Sequence, residues 1–141
     1  MYFKRDSSMK HMDSELYNFS TKVPTTSLLV VPEELVPLTI EAKKIIMMYM
    51  MDLPISGNPS NWFDRLTEIM QESYLQDEVY CFLIKQTIAN MQQSSEMRGW
   101  ELLNFVLTVR KPSRNLYSYV LHYIIRSLLH SEPQVGEREY L

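Results

Sequence analysis

Residues 75–87 read LQDEVYCFLIKQT, and this stretch decides the fold. Apolar side chains recur there at helical spacing, so the sequence predicts a helix from about Gln76 to Met91. The predicted buried face consists of Tyr80, Leu83, Ile84, Thr87, Ile88 and Met91, widened by Cys81 and Phe82. A helix that is apolar over most of its circumference belongs at the centre of a bundle.

Four more helices are predicted around this central one. They run from about Thr39 to Met51, from Asn58-Pro59 onwards, from Ser94 or Ser95 to just before Pro112, and from Ser113 onwards. Thr39 and Asn58 are the expected caps, and Glu41 is expected in the first turn of its helix. The expected buried residues are Ala42, Ile45, Ile46 and Tyr49; Phe63, Leu66, Met70 and Tyr74; Trp100, Leu103, Val106, Leu107 and Val109; and Leu116, Tyr117, Val120, Leu121, Ile124, Ile125 and Leu128.

The totals suit one helical domain. The chain has 141 residues, only three glycines and a net charge of −3. Sheet proteins with many tight turns use more glycine than this. We therefore predict an all-α, compact bundle of five to six helices over residues 17–141, after a flexible lead of residues 1–16.

The sequence offers no catalytic pattern. Asp77 and Glu78 are adjacent, and neighbours on a helix point ~100° apart, whereas paired catalytic carboxylates must face each other. The three histidines form no metal-binding pattern with Cys81, and no phosphate-binding glycine loop occurs. We expect no enzyme activity, no cofactor and no metal.

Several polar residues have structural interpretations instead. Asp77 and Glu78 are expected to pair with Arg98, Gln86 to bond a neighbouring backbone group, and Thr87 to bond its own helix. Gly99, unusual inside a helix, predicts the close approach of another backbone. Cys81 is expected to be an inert core thiol.

No signal peptide is visible, and no apolar run reaches the ~20 residues that a membrane span needs. A single cysteine fits a reducing compartment. A cytoplasmic location is therefore expected.

Three segments in order carry a family resemblance. They are residues 50–54 (MMDLP), the stretch 75–87, and residues 98–103 (RGWELL), followed by Pro112-Ser113 and residues 116–120. Together they resemble the myosin tail homology 4 domain. Met51 and Phe82 depart from that pattern, where glycine and glutamine are usual. Residues 135–141 look like the beginning of a further helix after a short connector, cut off, so the domain is expected to be truncated.

The resemblance implies a non-catalytic interaction module, as in the tails of unconventional myosins, some kinesins and some Rho-GTPase-activating proteins. Such domains commonly precede a FERM domain and dock microtubules or cargo, so the expected location is cytoskeletal. The residues that carry the structural motif are Asp77, Glu78, Tyr80, Gln86, Arg98, Gly99 and Trp100. The alternatives are a stand-alone helical adaptor for signalling or trafficking peptides and a dimerisation element, because a missing helix would leave an apolar patch that invites self-association.

The uneven distribution of charge along the chain is the one sequence feature that points to a binding partner. Residues 85–126 carry six basic and two acidic side chains, a net +4, which leaves −7 for the rest of the chain. Arg110, Lys111 and Arg114 bracket the Pro112 turn, and we predict that they form an exposed basic corner with Lys85 behind it. Acidic tubulin tails or acidic cargo peptides are the expected partners. A solvated helix end is the structural alternative. Nucleic acid is not expected, because the chain is acidic overall and lacks a reading motif.

Overall fold

The computed structural model describes residues 18–139 and the side chains of residues 18–130. Its five helices are α1 (Val36–Tyr49), α2 (Trp62–Ile69), α3 (Ser73–Thr87), α4 (Gln93–Val109) and α5 (Arg114–Glu139). Short 3₁₀ helices at Glu33–Leu35 and Pro59–Asn61 precede α1 and α2. The prediction of an all-α bundle is confirmed. The expected flexible lead, residues 1–16, lies outside the described residues.

Helix α3 is the central helix, as its sequence predicts. From Leu75 to Thr87 every side chain except Asp77 is buried. Its main neighbours are α4 and α1, and α5 also packs on it and contributes Leu116 and Val120 to the shared core. Residues 18–32, which we call the N-terminal strap, precede these helices and cross α3.

Helix α1 begins three residues before its predicted start. Pro37 lies in the first turn, where its missing N–H costs nothing, so the helix starts at Val36. Thr39 is therefore not the cap. Its hydroxyl donates to the Leu35 carbonyl 3.1 Å away, and Glu41 falls in the second turn rather than the first.

Helix α3 ends before its predicted end, because the next segment turns sharply. Ala89 has a φ of 57°, in the left-handed region, and the chain leaves the helix there. Ile88 is only half-buried, and Met91, predicted on the buried face, is 92% exposed.

Asn58 caps a turn where the second helix was predicted to start, but the α-helix itself begins only after that turn. The Asn58 side chain accepts from the Ser60 amide at 3.1 Å, which starts a 3₁₀ turn before α2. Phe63 is exposed, and Tyr74 belongs to α3 and is also exposed, so the predicted stripe is wrong for both.

Helix α5 buries fewer residues than predicted. Leu116 and Val120 are buried and Ile124 is half-buried. The predicted core residues that are instead exposed are Tyr117, Leu121, Ile125 and Leu128. The helix also continues to Glu139, without the connector expected before Val135. The segment from Ser113 to Glu132 contains neither glycine nor proline, so nothing in it opposes a helix.

Candidate protein-interaction surfaces

Glu78 is the anchor for the end of the N-terminal strap. Its carboxylate accepts from the amides of Leu28 and Leu29 at 2.6 and 2.7 Å. It also pairs with Lys43 Nζ at 2.7 Å, and the two side chains are only 4% and 2% exposed. Lys43 donates in turn to the Thr26 carbonyl at 2.8 Å. A buried ion pair therefore fastens the strap to α1 and α3.

The predicted ion pair of Arg98 with Asp77 or Glu78 is wrong. Arg98 lies over the Tyr49 ring, 5.3 Å from its centroid, and its Nη1 donates to the Tyr49 carbonyl at 3.4 Å. Lys43 takes the ion-pair role instead. The buried stripe predicted for α1, which includes Ala42 and Ile46, did not include Lys43, although Lys43 is buried.

Gln86 anchors the beginning of the strap. Its amide nitrogen donates to the Ser20 carbonyl at 3.0 Å, and its oxygen accepts from the Ser20 amide at 3.3 Å. The Thr87 hydroxyl donates within α3, to the Ile84 and Leu83 carbonyls at 2.9 and 3.2 Å. The structural interpretations of both residues are confirmed.

Two α3 side chains fix the turn between α4 and α5. Asp77 accepts from the Ser113 amide at 2.9 Å and from its hydroxyl at 2.5 Å. The Tyr80 hydroxyl lies 2.6 Å from the Arg110 carbonyl and 3.1 Å from the Val106 carbonyl. Burial raises the pKa of Tyr80, with a smaller contribution from the charge of Asp77. The tyrosine therefore stays a neutral hydrogen-bond donor at physiological pH.

Gly99 and Trp100 mark the contact between α4 and its neighbours. A Cβ on Gly99 would lie 2.8 Å from Thr87 Cγ2 and 3.0 Å from Met50 Cε. The close approach is confirmed, although side chains make it rather than the predicted backbone. Trp100 is half-buried at the edge of the core and stacks on Tyr123, with ring centroids 5.4 Å apart.

Cys81 is a buried core residue, as predicted. Burial, and secondarily the charges of Glu78 and Asp77, raises the pKa of its thiol to about 12. Such a thiol is a poor nucleophile at neutral pH, because the reactive thiolate is scarcely present.

The basic corner is exposed at two of its four predicted residues. Lys111 and Arg114 are exposed at the α4–α5 turn. Arg110 is half-buried, and its Nη1 donates to the Gln71 and Met70 carbonyls, at 2.7 and 3.0 Å, at the end of α2. The placement of Lys85 behind this corner is wrong. It is 7% exposed and donates to Gln86 Oε1 at 3.1 Å, beside the strap. From here "basic corner" means Arg110, Lys111 and Arg114.

The family model of the MyTH4 (myosin tail homology 4) domain matches residues 64–140, more than half of the chain. The chain belongs to the MyTH4 domain family. The matched region includes α3, α4 and the basic corner, whereas the strap and α1 precede it.

Relatives of this MyTH4 domain are myosins. The Myosin-I heavy chain of Dictyostelium discoideum is 26% identical over 125 residues, which are 84% of this chain and 5% of that protein. Unconventional myosin-VIIb of Mus musculus is 33% identical over 91 residues, which are 62% of this chain and 4% of that protein. The chain thus spans about a twentieth of the length of these relatives.

Solved structures share its architecture. The C-terminal MyTH4-FERM domain of human Myosin 7b, in complex with the harmonin-a PDZ3 domain, matches with a TM-score of 0.75 and 29% identity, over 87% of this chain and 26% of that one. A mutant MyTH4-FERM MF2 domain of Dictyostelium discoideum Myosin VII matches with a TM-score of 0.78 and 26% identity, over 93% of this chain and 28% of that one.

A groove under α5 is a second surface of this MyTH4 domain, and the sequence did not predict it. Two cavities of about 710 and 390 Å³ flank the helix and share Ile88, Tyr123, Ser127 and His130. We call them together the α5 groove. One side is lined further by Thr87, Glu96, Trp100, Ile124 and Leu128, and the other by Tyr119, His122 and Arg126. The groove lies at the end of α3, since Thr87, its last residue, and Ile88 both line it.

The described part of the chain shows neither a metal cluster nor a membrane span. Among these residues, no three histidine, cysteine or acidic side chains lie together in a way that could hold an ion. None of the described helices is long and apolar enough to cross a bilayer.

Proposed function

We propose that this MyTH4 domain is a non-catalytic protein-interaction module of a cytoskeletal motor tail, in the cytoplasm. It works in tandem with a FERM domain and docks an acidic partner through the basic corner. Acidic tubulin tails on microtubules are the first candidate, and an acidic cargo peptide is the second. The matched myosins and MyTH4-FERM structures support the tail context.

The basic corner is the observation that carries this proposal. Lys111 and Arg114 are exposed and lie three residues apart on a turn whose backbone is bonded to α3. Exposed cations of this kind attract an acidic partner and speed its encounter, and the attraction weakens with salt. Arg110 is partly engaged by α2, so we assign it a smaller share of the partner contact.

Microtubule co-sedimentation at low and high salt tests the basic corner. We expect the Lys111→Glu/Arg114→Glu double variant to bind roughly tenfold more weakly at low salt, because it replaces two attractions with repulsions. The difference should shrink as salt screens the charges. Lys44→Glu, which reverses an exposed lysine on α1, is the control and should bind nearly as the natural chain does.

The same variants discriminate between the two candidate partners. If the double variant loses an acidic cargo peptide and the natural chain never sediments with microtubules, cargo is the partner. Unchanged binding of both partners by the double variant would refute the role of the basic corner, while the family membership would stand.

A further inference from the structure

Helix α5 carries an exposed apolar stripe beside the one that it buries. Leu116 and Val120 are buried, but four apolar residues on the adjacent face are between 44% and 59% exposed, and we call them the α5 stripe: Tyr117, Leu121, Ile125 and Leu128. Their positions follow one another after four, four and three residues, which is an 11-residue period. A stripe of this period runs nearly parallel to the helix axis. It therefore offers a straight apolar line of roughly 17 Å, at ~1.5 Å per residue.

The basic corner continues directly into this stripe. Arg114 is the first residue of α5 and lies three positions before Tyr117, so it is one turn ahead on the same face. Its side chain is exposed. His122 lies three residues before Ile125 and is therefore its neighbour on the helix surface, and Arg126 follows one turn beyond His122. Both are exposed. The stripe thus has a cation at its beginning and basic side chains along one side.

These charges favour an acidic occupant of the stripe. Between positions 114 and 130 of α5, no side chain is acidic and four are basic: Arg114, His122, Arg126 and His130. A second copy of the chain would bring the same basic side chains to this face, and like charges across an interface oppose binding. An acidic helix would be attracted to it. The exposed apolar side chains require an apolar counterpart, because the removal of apolar surface from water drives such docking.

We propose that the α5 stripe and Arg114 bind an acidic amphipathic helix of a partner protein. The apolar face of this helix packs along the stripe, and its carboxylates face Arg114 and His122. About three turns of helix, each ~5.4 Å, cover the stripe. A helix this short is marginal in water alone, so the partner segment folds as it binds. This inference rests on the acidic cargo peptide proposed for the basic corner, and it specifies the conformation and the apolar side of that peptide.

Two synthetic peptides of about 18 residues and identical composition test the stripe on the full chain. The patterned peptide has leucines spaced by four, four and three residues, with glutamates beside them. The permuted peptide distributes the same leucines around the helix. We expect the patterned peptide to bind at least about tenfold more tightly and to gain helical circular dichroism when bound, because only its leucines lie on one face. This comparison uses the natural chain and needs no variant.

Substitutions in the chain locate the contact. Leu121→Ser/Ile125→Ser should weaken binding of the patterned peptide by at least about tenfold, because it removes two apolar contacts. Ile55→Ser/Met91→Ser is the matched control, since it also replaces two exposed apolar residues but lies outside α5, and it should bind as the natural chain does. Thermal melts check that both variants fold.

The charge variant separates this inference from the proposed function. Lys111→Glu/Arg114→Glu should weaken binding of both peptides at low salt and keep the preference for the patterned one, because the apolar match remains. Unchanged affinity of this variant for the patterned peptide would refute the acidic partner and, with it, the role of the basic corner. Equal affinity of the natural chain for the two peptides would overturn the inference alone.

Two further results would overturn the inference. Equal binding by the Leu121→Ser/Ile125→Ser variant and its matched control would mean that the peptide binds elsewhere. A mass that rises with protein concentration in sedimentation, and does so only when Leu121 and Ile125 are intact, would assign the stripe to a second copy of the chain.

Discussion

At the scale of single residues, Gly99 shows how closely the helices approach. The sequence indicates a close contact there, because glycine disfavours a helix interior and needs compensation. It does not indicate what makes the contact. Thr87 and Met50 meet at this point from two other elements, and their meeting depends on how α1 and α3 cross.

Gly99→Ala should therefore lower the free energy of unfolding, although alanine is the better helix former. The added methyl group would overlap Thr87 Cγ2, and overpacking of this kind typically costs about 1–3 kcal/mol, more than the ~1 kcal/mol gained in helix propensity. Thr87→Ser removes the overlapping methyl group and keeps the hydroxyl, so the double variant should recover part of the loss. Urea denaturation of the four proteins in this cycle measures the coupling, and additive losses would contradict the contact.

At the scale of secondary-structure elements, the N-terminal strap depends on one buried carboxylate. Glu78 serves two backbone amides and the Lys43 ammonium group at once. Removing one member of a buried ion pair leaves the other charge buried without compensation, which is far more costly than removing a surface charge.

Glu78→Gln should destabilise the domain by about 3–5 kcal/mol, whereas Glu72→Gln, at an exposed position, should change stability by under ~0.5 kcal/mol. Adding Lys43→Met should restore part of the loss, since the orphaned charge is then gone. Hydrogen exchange gives a second measurement, because the Leu28 and Leu29 amides should lose protection first. Equal effects of the Glu78 and Glu72 substitutions would argue against the anchor.

The helices themselves were predictable from the sequence, but their ends and partners were less so. Periodicity in 75–87 identifies α3 and its central place because burial on most faces leaves a local signature. The early end of α3 depends on the left-handed backbone conformation of Ala89. This conformation was not predictable, because the residue is not a glycine. The partner of Glu78 lies on α1, 35 positions away, and such long-range pairing cannot be read from local spacing. The α5 groove was missed for the same reason, since it depends on where α3 stops.

At the scale of the whole molecule, burial in the core disfavours the charged forms of the Cys81 thiol and the Tyr80 hydroxyl. Burial raises the pKa of Cys81 from 9.0 to about 12 and also raises the pKa of Tyr80. The folded state therefore keeps protons that the unfolded chain has already released. Each group contributes stability that is fully present below its unfolded pKa and is lost as the pH rises towards its folded pKa.

We expect the free energy of unfolding to fall between about pH 9 and pH 12, by up to about 1.4 kcal/mol per pH unit for each such group. Cys81→Ala should lower stability at pH 7 through lost packing and should flatten the alkaline decline. Tyr117→Phe, at an exposed tyrosine, is the control and should leave the slope unchanged. Urea denaturation across this pH range tests the expectation, and parallel curves for Cys81→Ala and the natural chain would contradict it.

The ordered backbone of the turn between α4 and α5 matters for ligand binding as well as its charges do. Asp77 and Tyr80 hold the backbone on both sides of Pro112 in the folded domain, although neither side chain belongs to the basic corner. A ligand that binds there would meet a preorganised loop, and association would immobilise side chains but little main chain. Asp77 and Tyr80 of the central helix would thus reduce the conformational entropy that is lost when a ligand binds at this turn.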